Sequence, residues 1–265
     1  MSKSEPDHGT PLERRRTLDL LWGKRAGPTR GPKPSLNVEK IVAAAVAIAD
    51  SEGLEAVSMQ RVAEACGVTT MALYRYVPGK SELVALMLDV GLGAPPPLAG
   101  APGDWRAQLE DWARRLWVIF QAHPWSLAAT APARVMGPNE LGWFEVAVSV
   151  LGGTSLSAEE AVQAVIAILL HVRGMAGAML GGSADRGQNV SGGWSAMVAE
   201  LLRAHGESFP ALRAASFDPP ASEAPDGGPG GGLGFGLRLL LDGLSAHIGG
   251  RARSTSSAKR PRAAE

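Results

Sequence analysis

Cysteine is nearly absent from this chain. Its one thiol, Cys66, excludes an intramolecular disulfide, and the N-terminus lacks the apolar stretch of a signal peptide. A reducing cytoplasm is the compartment expected. Net charge is absent too: 26 Lys and Arg balance 26 Asp and Glu. Any attraction to a polyanion must therefore arise locally. The five histidines show no paired metal-ligand spacing, and residues 104–250 contain neither a nucleophile elbow nor a phosphate-binding loop. The glycine-rich GGGLGFG at 230–236 has no strand ahead of it, so it does not read as a nucleotide loop. An enzyme would have to conceal its site entirely, and neither a metal nor a cofactor is expected. One apolar run, Ala161 to Leu180, is long enough to raise a membrane span. Gln163, His171 and Arg173 interrupt it, at a cost of several kcal/mol in a bilayer, so a buried helix of a soluble protein explains it better.

What is present is a core and a motif. A hydrophobic content of 45% over 265 residues suits one large or two modest domains. Ser58 to Lys80, SMQRVAEACGVTTMALYRYVPGK, reads as two short helices joined by a tight turn. Ser58 caps the first helix, and Val62, Ala63 and Cys66 fall on one inward face. Gly67 ends it in the left-handed conformation, Val68 tucks into the angle, and Thr69 caps a second helix running through Leu73 to about Val77. With Leu73 and Val77 inward, the second helix leaves Thr70, Met71, Ala72, Tyr74, Arg75 and Tyr76 toward solvent. Such a surface suits a major groove: threonine reaches base edges or phosphates, methyls meet thymine methyls, and the tyrosines and Arg75 reach phosphates. The competing reading is a helical corner of an all-α domain.

The segment Asn37 to Asp89 resembles the DNA-binding domain of the tetracycline-repressor (TetR) family of bacterial regulators. Its alanine-rich first helix ends in Gly53, and Val62-Ala63, Gly67-Val68, Leu73-Tyr74 and Lys80 follow in the family's order. The resemblance implies phosphate or base contacts at Ser58, Gln60, Thr69, Thr70, Met71, Ala72, Tyr74, Arg75, Tyr76 and Lys80. Cys66 stands where a larger aliphatic is common, a packing change; as an inward-facing residue it is expected to be core and not a redox sensor. Gln60 and Arg75 are the main side chains able to contact a base in bidentate fashion, so much of the specificity is expected from shape and methyl contacts.

Charge is unevenly divided along the chain. Residues 1–35 read as a flexible arm with one short helix over Leu12 to Trp22. From Trp22 to Ser35 come Lys24, Arg25, Arg30 and Lys33 without an acid, among prolines and glycines, and such an arm suits a minor groove. Leu36 to Val90 carries four basic residues against seven acids. The arm either supplies part of the phosphate attraction or is merely a solvated tail. Asn37 caps the first core helix, Leu36 staples onto Ile41, and Ile41, Ala45 and Ile48 form its inner stripe. Gly79 precedes a fourth helix from Lys80 to about Val90. Proline and glycine in GLGAPPPLAGAPG, residues 91–103, mark a domain boundary.

Beyond it, residues 104–250 read as a larger helical domain. Trp105, Leu109, Trp112, Leu116 and Phe120 recur at helical spacing up to His123-Pro124. A helix from Asn139 to about Leu151 follows. Ser157 and Glu160 form a capping box for a central helix that is apolar nearly all round. His171, Arg173, Met175 and Met179 on it either line a cavity or interface, or are satisfied core groups. Residues 181–193 read as a loop, Trp194 to His205 as a helix, 217–232 as a disordered insertion, Leu233 to Ile248 as a last helix, and 251–265 as a basic disordered tail. Aromatic and methionine side chains with a few polar groups are the usual lining of a small-molecule pocket. The candidates are Trp112, Trp117, Trp125, Met136, Trp143, Phe144, His171 and Met175.

The stretches DWRAQLEDWARRLWVIFQAHPW and EEAVQAVIAILLHVRGMAG resemble, less specifically, the C-terminal domain type of the tetracycline repressor. That resemblance implies ligand binding and a dimeric four-helix bundle built from the helices at 157–180 and 233–248. The expectation is an all-α, homodimeric transcriptional regulator, a repressor that holds a palindromic operator and releases it on binding a small molecule. A ligand-independent DNA-binding dimer, or a helical small-molecule-binding protein or enzyme without DNA binding, are the alternatives.

Overall fold

Helix is the regular element throughout the computed structural model, which describes residues 11–23, 36–97, 104–130, 134–180, 190–214 and 232–258. Among the described residues no strand occurs, so the fold is all-α. The chain divides into two compact units. One comprises residues 1–99 with 118–150, the other residues 100–117 with 151–265.

The first unit is built on local capping. Helix α1 spans Pro11–Trp22. Helix α2, Val38–Glu52, starts where the Asn37 side chain accepts the Lys40 amide at 2.8 Å, and ends at Gly53 with φ 88°, a value that favours glycine. After a single 3₁₀ turn at Leu54–Ala56 come α3, Met59–Ala65, the short α4, Thr70–Tyr74, and α5, Lys80–Leu92. Ile41, Val57, Val62, Leu73, Val77, Leu83 and Met87 are fully buried in one core. Leu36 and Leu21 also belong to it, so α1 is docked on the same core through its C-terminal turn. Two elements absent from the sequence reading complete the unit: α7, Trp125–Ala129, and the docking of α8, Pro138–Val150, on α5.

In the second unit α6, Trp105–Ala122, contributes its first part, and Arg106 pairs with Asp242 at 2.6 Å. Leu109, Trp112 and Leu116 are buried, as their spacing predicts. Helix α9, Ala158–Leu180, starts with a reciprocal capping box: the Ser157 amide donates to Glu160 Oε2 at 2.7 Å, and Ser157 Oγ accepts the Glu160 amide at 3.2 Å. The Ser157 amide and the adjoining His247 hold the Glu160 carboxyl at about 2, well below the ordinary range, with Arg251 adding to the effect. Helices α10, Val190–His205, and α11, Pro210–Ala214, follow.

The last helix, α12, runs from Gly232 to Ala258, ten residues past the end expected from its leucine stripe. Arg251 explains part of the extension, since its guanidinium donates to Ser155 O and Glu160 Oε1. Likewise α10 begins four residues before Trp194. The expected loop at 181–189, the insertion at 217–231 and the final residues 259–265 lie outside the described residues.

Helices α9 and α12 are antiparallel. Ser155 and Glu160 meet Ile248, His247 and Arg251 at one end, and His171 meets Leu233 at the other. The His171 Nε2 proton is donated to Leu233 O at 3.0 Å. A Cβ on Gly236 would lie 2.3 Å from His171 Cε1. Alanine normally favours a helix interior over glycine, but here overpacking of the ring outweighs that gain. Gly236→Ala should destabilise the protein by about 1–2 kcal/mol, measured by urea denaturation. The double variant with His171→Ala should regain most of the loss.

Candidate nucleic-acid interface

The two-helix motif is assembled almost entirely from short-range bonds. Ser58 Oγ accepts the Arg61 amide at 3.2 Å, and Thr69 Oγ1 accepts the Ala72 amide at 3.3 Å, which fixes the start of α3 and of α4. Between them the Val68 amide reaches back to Ala63 O and the Gly67 amide to Glu64 O, while Gly67 takes φ 68°. This is a helix terminator that requires a left-handed residue, and the glycine supplies it. Val62 and Ala63 beneath, with Leu73 and Val77 above, clamp the angle.

What remains outside is the candidate surface. Met71 is 75% exposed and Tyr74 44%. Gln60, Thr69, Arg75 and Lys80 are exposed, while Ser58, Thr70, Ala72 and Tyr76 are half-buried beside them. Gln60 donates from Nε2 to Glu64 Oε1 at 2.9 Å, which uses one of its two amide hydrogens and leaves the other and its oxygen for a base. Arg61, which is not among the candidates, is occupied in a bidentate pair with Glu52. That bond holds the Glu52 carboxyl below its ordinary range and raises the arginine. Cys66 is half-buried on the inner side of α3, and burial pushes its thiol up, away from the reactive thiolate.

Two ties from α2 and α5, the helices that flank this motif, to later parts of the chain were not legible in the sequence. Asp50 on α2 accepts the Trp125 indole proton at 2.6 Å, and the same oxygen lies 2.7 Å from His123 Nδ1. Asp89 on α5 accepts the Asn139 and Glu140 amides at 2.9 and 3.1 Å, capping α8. An acid near a helix end gives no periodic signal, and its partners lie 50 to 75 residues away.

The eight ligand candidates do not all fall in one unit. Trp112, Trp117, His171 and Met175 belong to the second; Trp125, Met136, Trp143 and Phe144 belong to the first. Trp125 is 5% exposed within the core of the two-helix motif. Trp143 is equally buried and donates to Gly93 O at 3.0 Å, and the Met136 carbonyl accepts from Trp22 Nε1 at 2.9 Å. His171 is engaged with α12, as described above.

Residues 41–87 match the N-terminal domain of the bacterial regulatory proteins of the tetR family, and residues 97–248 match the tetracyclin repressor-like C-terminal domain. The chain belongs to the TetR family. The HTH-type transcriptional repressor DrrR1 of Streptomyces coeruleorubidus is 39% identical over 242 residues, covering 89% of this chain and 87% of the relative. An HTH-type transcriptional regulator of Saccharopolyspora erythraea is 31% identical over 212 residues, covering 80% of this chain and 84% of its own length. Among solved structures, the TetR family protein ActR of Streptomyces coelicolor in complex with actinorhodin superposes with a TM-score of 0.68. It is 28% identical, and the match covers 82% of this chain and 99% of that one. The protein is therefore a DNA-binding transcriptional regulator.

Proposed function

We propose that the protein is a homodimeric repressor that binds a palindromic operator in the bacterial cytoplasm and leaves it when a small organic molecule occupies the second unit. The observation that carries the DNA half is the exposed Met71 and Tyr74 on α4 and Arg75 at its C-terminal cap, with Lys80 at the start of α5. Ser58, Gln60, Thr69, Thr70, Ala72 and Tyr76 complete the face. One five-residue helix reads too few base pairs for useful specificity, whereas two related by a two-fold axis read half-sites about 34 to 36 Å apart, or a multiple of that.

Dimerisation is supported by the outer faces of α9 and α12. Only Ala161, Val165, Ile168, Val172 and Ala176 of α9 are buried, although the helix is apolar nearly all round. Its exposed positions Ala167, Leu170, Gly174 and Ala178 recur at helical spacing, and α12 exposes Phe235, Leu239, Gly243 and Ala246 in the same way. Small residues beside large apolar ones permit close helix approach. For the ligand, the buried Trp112 and Trp117 with the half-buried Met175 supply apolar and aromatic surface within one unit. ActR's complex with actinorhodin supports an organic ligand of this kind. Release requires only that the ligand favour the dimer conformation that fits the operator poorly.

The test is an anisotropy titration against DNA flanking the protein's own gene, at two salt concentrations and with nonspecific competitor. Tight, competitor-resistant binding by a dimer is expected, and weak, salt-labile binding alone would reject the reading for that DNA. The basic arm at 24–35 lies outside the described residues. Because Leu21 is part of the core, removing residues 1–34 would disturb folding as well as charge. Replacing Lys24, Arg25, Arg30 and Lys33 with glutamine isolates the charge, and a shallower salt dependence is expected.

A further inference from the structure

Helix α1 carries three consecutive arginines, Arg14, Arg15 and Arg16, in its first half. Its other end is fixed to the first unit. Leu21 is buried in the shared core, the Gly23 amide closes on Asp19 O at 2.8 Å, and the Trp22 indole donates to Met136 O at 2.9 Å. The helix packs against α5, whose first residue is Lys80. It precedes residue 41, where the match to the family's N-terminal domain begins, and so lies outside that domain.

Thr17 and Leu20 are half-buried beside Leu21, whereas all three arginines are exposed. Successive helix positions point about 100° apart, so three exposed neighbours mean that this stretch stands clear of the core. Among the described residues none of the three arginines has a hydrogen-bond or ion-pair partner. They differ in this from Arg61, which would have to give up Glu52 before it could bind anything else. An uncommitted guanidinium can take a phosphate in bidentate fashion without breaking an internal pair. Leu36 to Val90 meanwhile carries four basic residues against seven acids, so the domain that holds the helix-turn-helix repels a polyanion at long range. Cations that offset this repulsion must come from outside it, and α1 offers three on a helix whose docking is already complete, so little further ordering is needed. We propose that α1 is a second DNA-contacting element, its Arg14, Arg15 and Arg16 binding backbone phosphates beside the half-site that the helix-turn-helix reads. Such contacts add affinity and fix register without sequence preference. The inference rests on the protein's binding of DNA and is independent of any effector.

The test uses the full chain, a duplex from the DNA flanking its own gene and a scrambled duplex of equal length, with anisotropy titrations at several salt concentrations. One variant replaces Arg14, Arg15 and Arg16 with glutamine. A second replaces Arg203, Arg213 and Arg238, three exposed arginines of the second unit, and so removes the same charge elsewhere. With at least one phosphate contacted per subunit, the first variant should lower the slope of log affinity against log salt by about two across a dimer and weaken binding to both duplexes about tenfold or more. The second should leave the slope unchanged. Circular dichroism should show both variants folded, since no buried or paired group is removed from α1. An unchanged slope in the first variant, or an equal fall in the second, would overturn the proposal and leave the DNA reading standing. A chain that bound neither duplex would overturn that reading and this inference with it.

Discussion

Leu170→Asp should turn the protein into a folded monomer whose affinity for a full operator falls on the order of 10²–10⁴-fold. Leu170 is 60% exposed on α9, so the substitution takes no group out of the chain's own core. It stands at the level of Phe235 and Leu239 on the antiparallel α12, themselves 61% and 56% exposed. In a four-helix interface that leucine is desolvated against its symmetry mate, and a carboxylate there is an unpaired buried charge, twice over because the interface repeats each contact. The fall in operator affinity follows from linkage: once the two recognition helices are separate molecules, the second half-site is no longer engaged at an effective concentration fixed by the first. Sedimentation velocity with far-ultraviolet circular dichroism checks the first part, and anisotropy on the full site checks the second. Phe235→Asp should behave in the same way. If both variants sediment as dimers with unchanged affinity, the interface lies on another face.

The features that the sequence made legible are those whose causes are local. Asn37, Ser58 and Ser157 cap their helices as expected because a cap needs only a side-chain oxygen and an amide three residues on. Gly53 and Gly67 mark their turns because only glycine takes a positive φ without strain. The exposed face of the motif's second helix was readable by subtraction: with Leu73 and Val77 buried, Met71, Tyr74 and Arg75 are left outside. The rest depended on distant partners. Trp125 resembled pocket lining in the sequence, yet its indole N–H donates a hydrogen bond to an acid on α2, 75 residues away, and it packs in the core of the first unit. The C-terminal tail read as disorder because arginine, serine and threonine are poor company for a core. Extending an existing helix is far easier than starting one, and Arg251 anchors the first turn of the extension. The split of the aromatic candidates between two units was invisible for the same reason: helical spacing says which face a residue is on, not which neighbour that face meets.

Tyr74→Ala should weaken operator binding about thirtyfold without altering stability by more than about 0.5 kcal/mol. The ring is 44% exposed at the end of α4, so its loss removes little packing. A tyrosine hydroxyl donating to a phosphate contributes roughly 1 kcal/mol, and a two-fold dimer makes the contact twice, giving about 2 kcal/mol. Phenylalanine at the same position separates the contributions: it keeps the ring and loses only the hydroxyl, so most of the loss should persist in Tyr74→Phe. Lys80→Ala should differ in kind. A lysine that neutralises one phosphate per half-site contributes a counterion-release term, so its removal should lower the slope of log affinity against log salt by about two across the dimer and weaken all sequences alike. Titrations of the three variants against operator and scrambled DNA at several salt concentrations distinguish these outcomes. A thirtyfold loss for Tyr74→Ala with an unchanged slope, beside a shallower slope for Lys80→Ala, would place both side chains on the DNA backbone. Full affinity in both would remove the outer face of α4 and the start of α5 from the interface, and the operator would have to be read by other residues of the first unit.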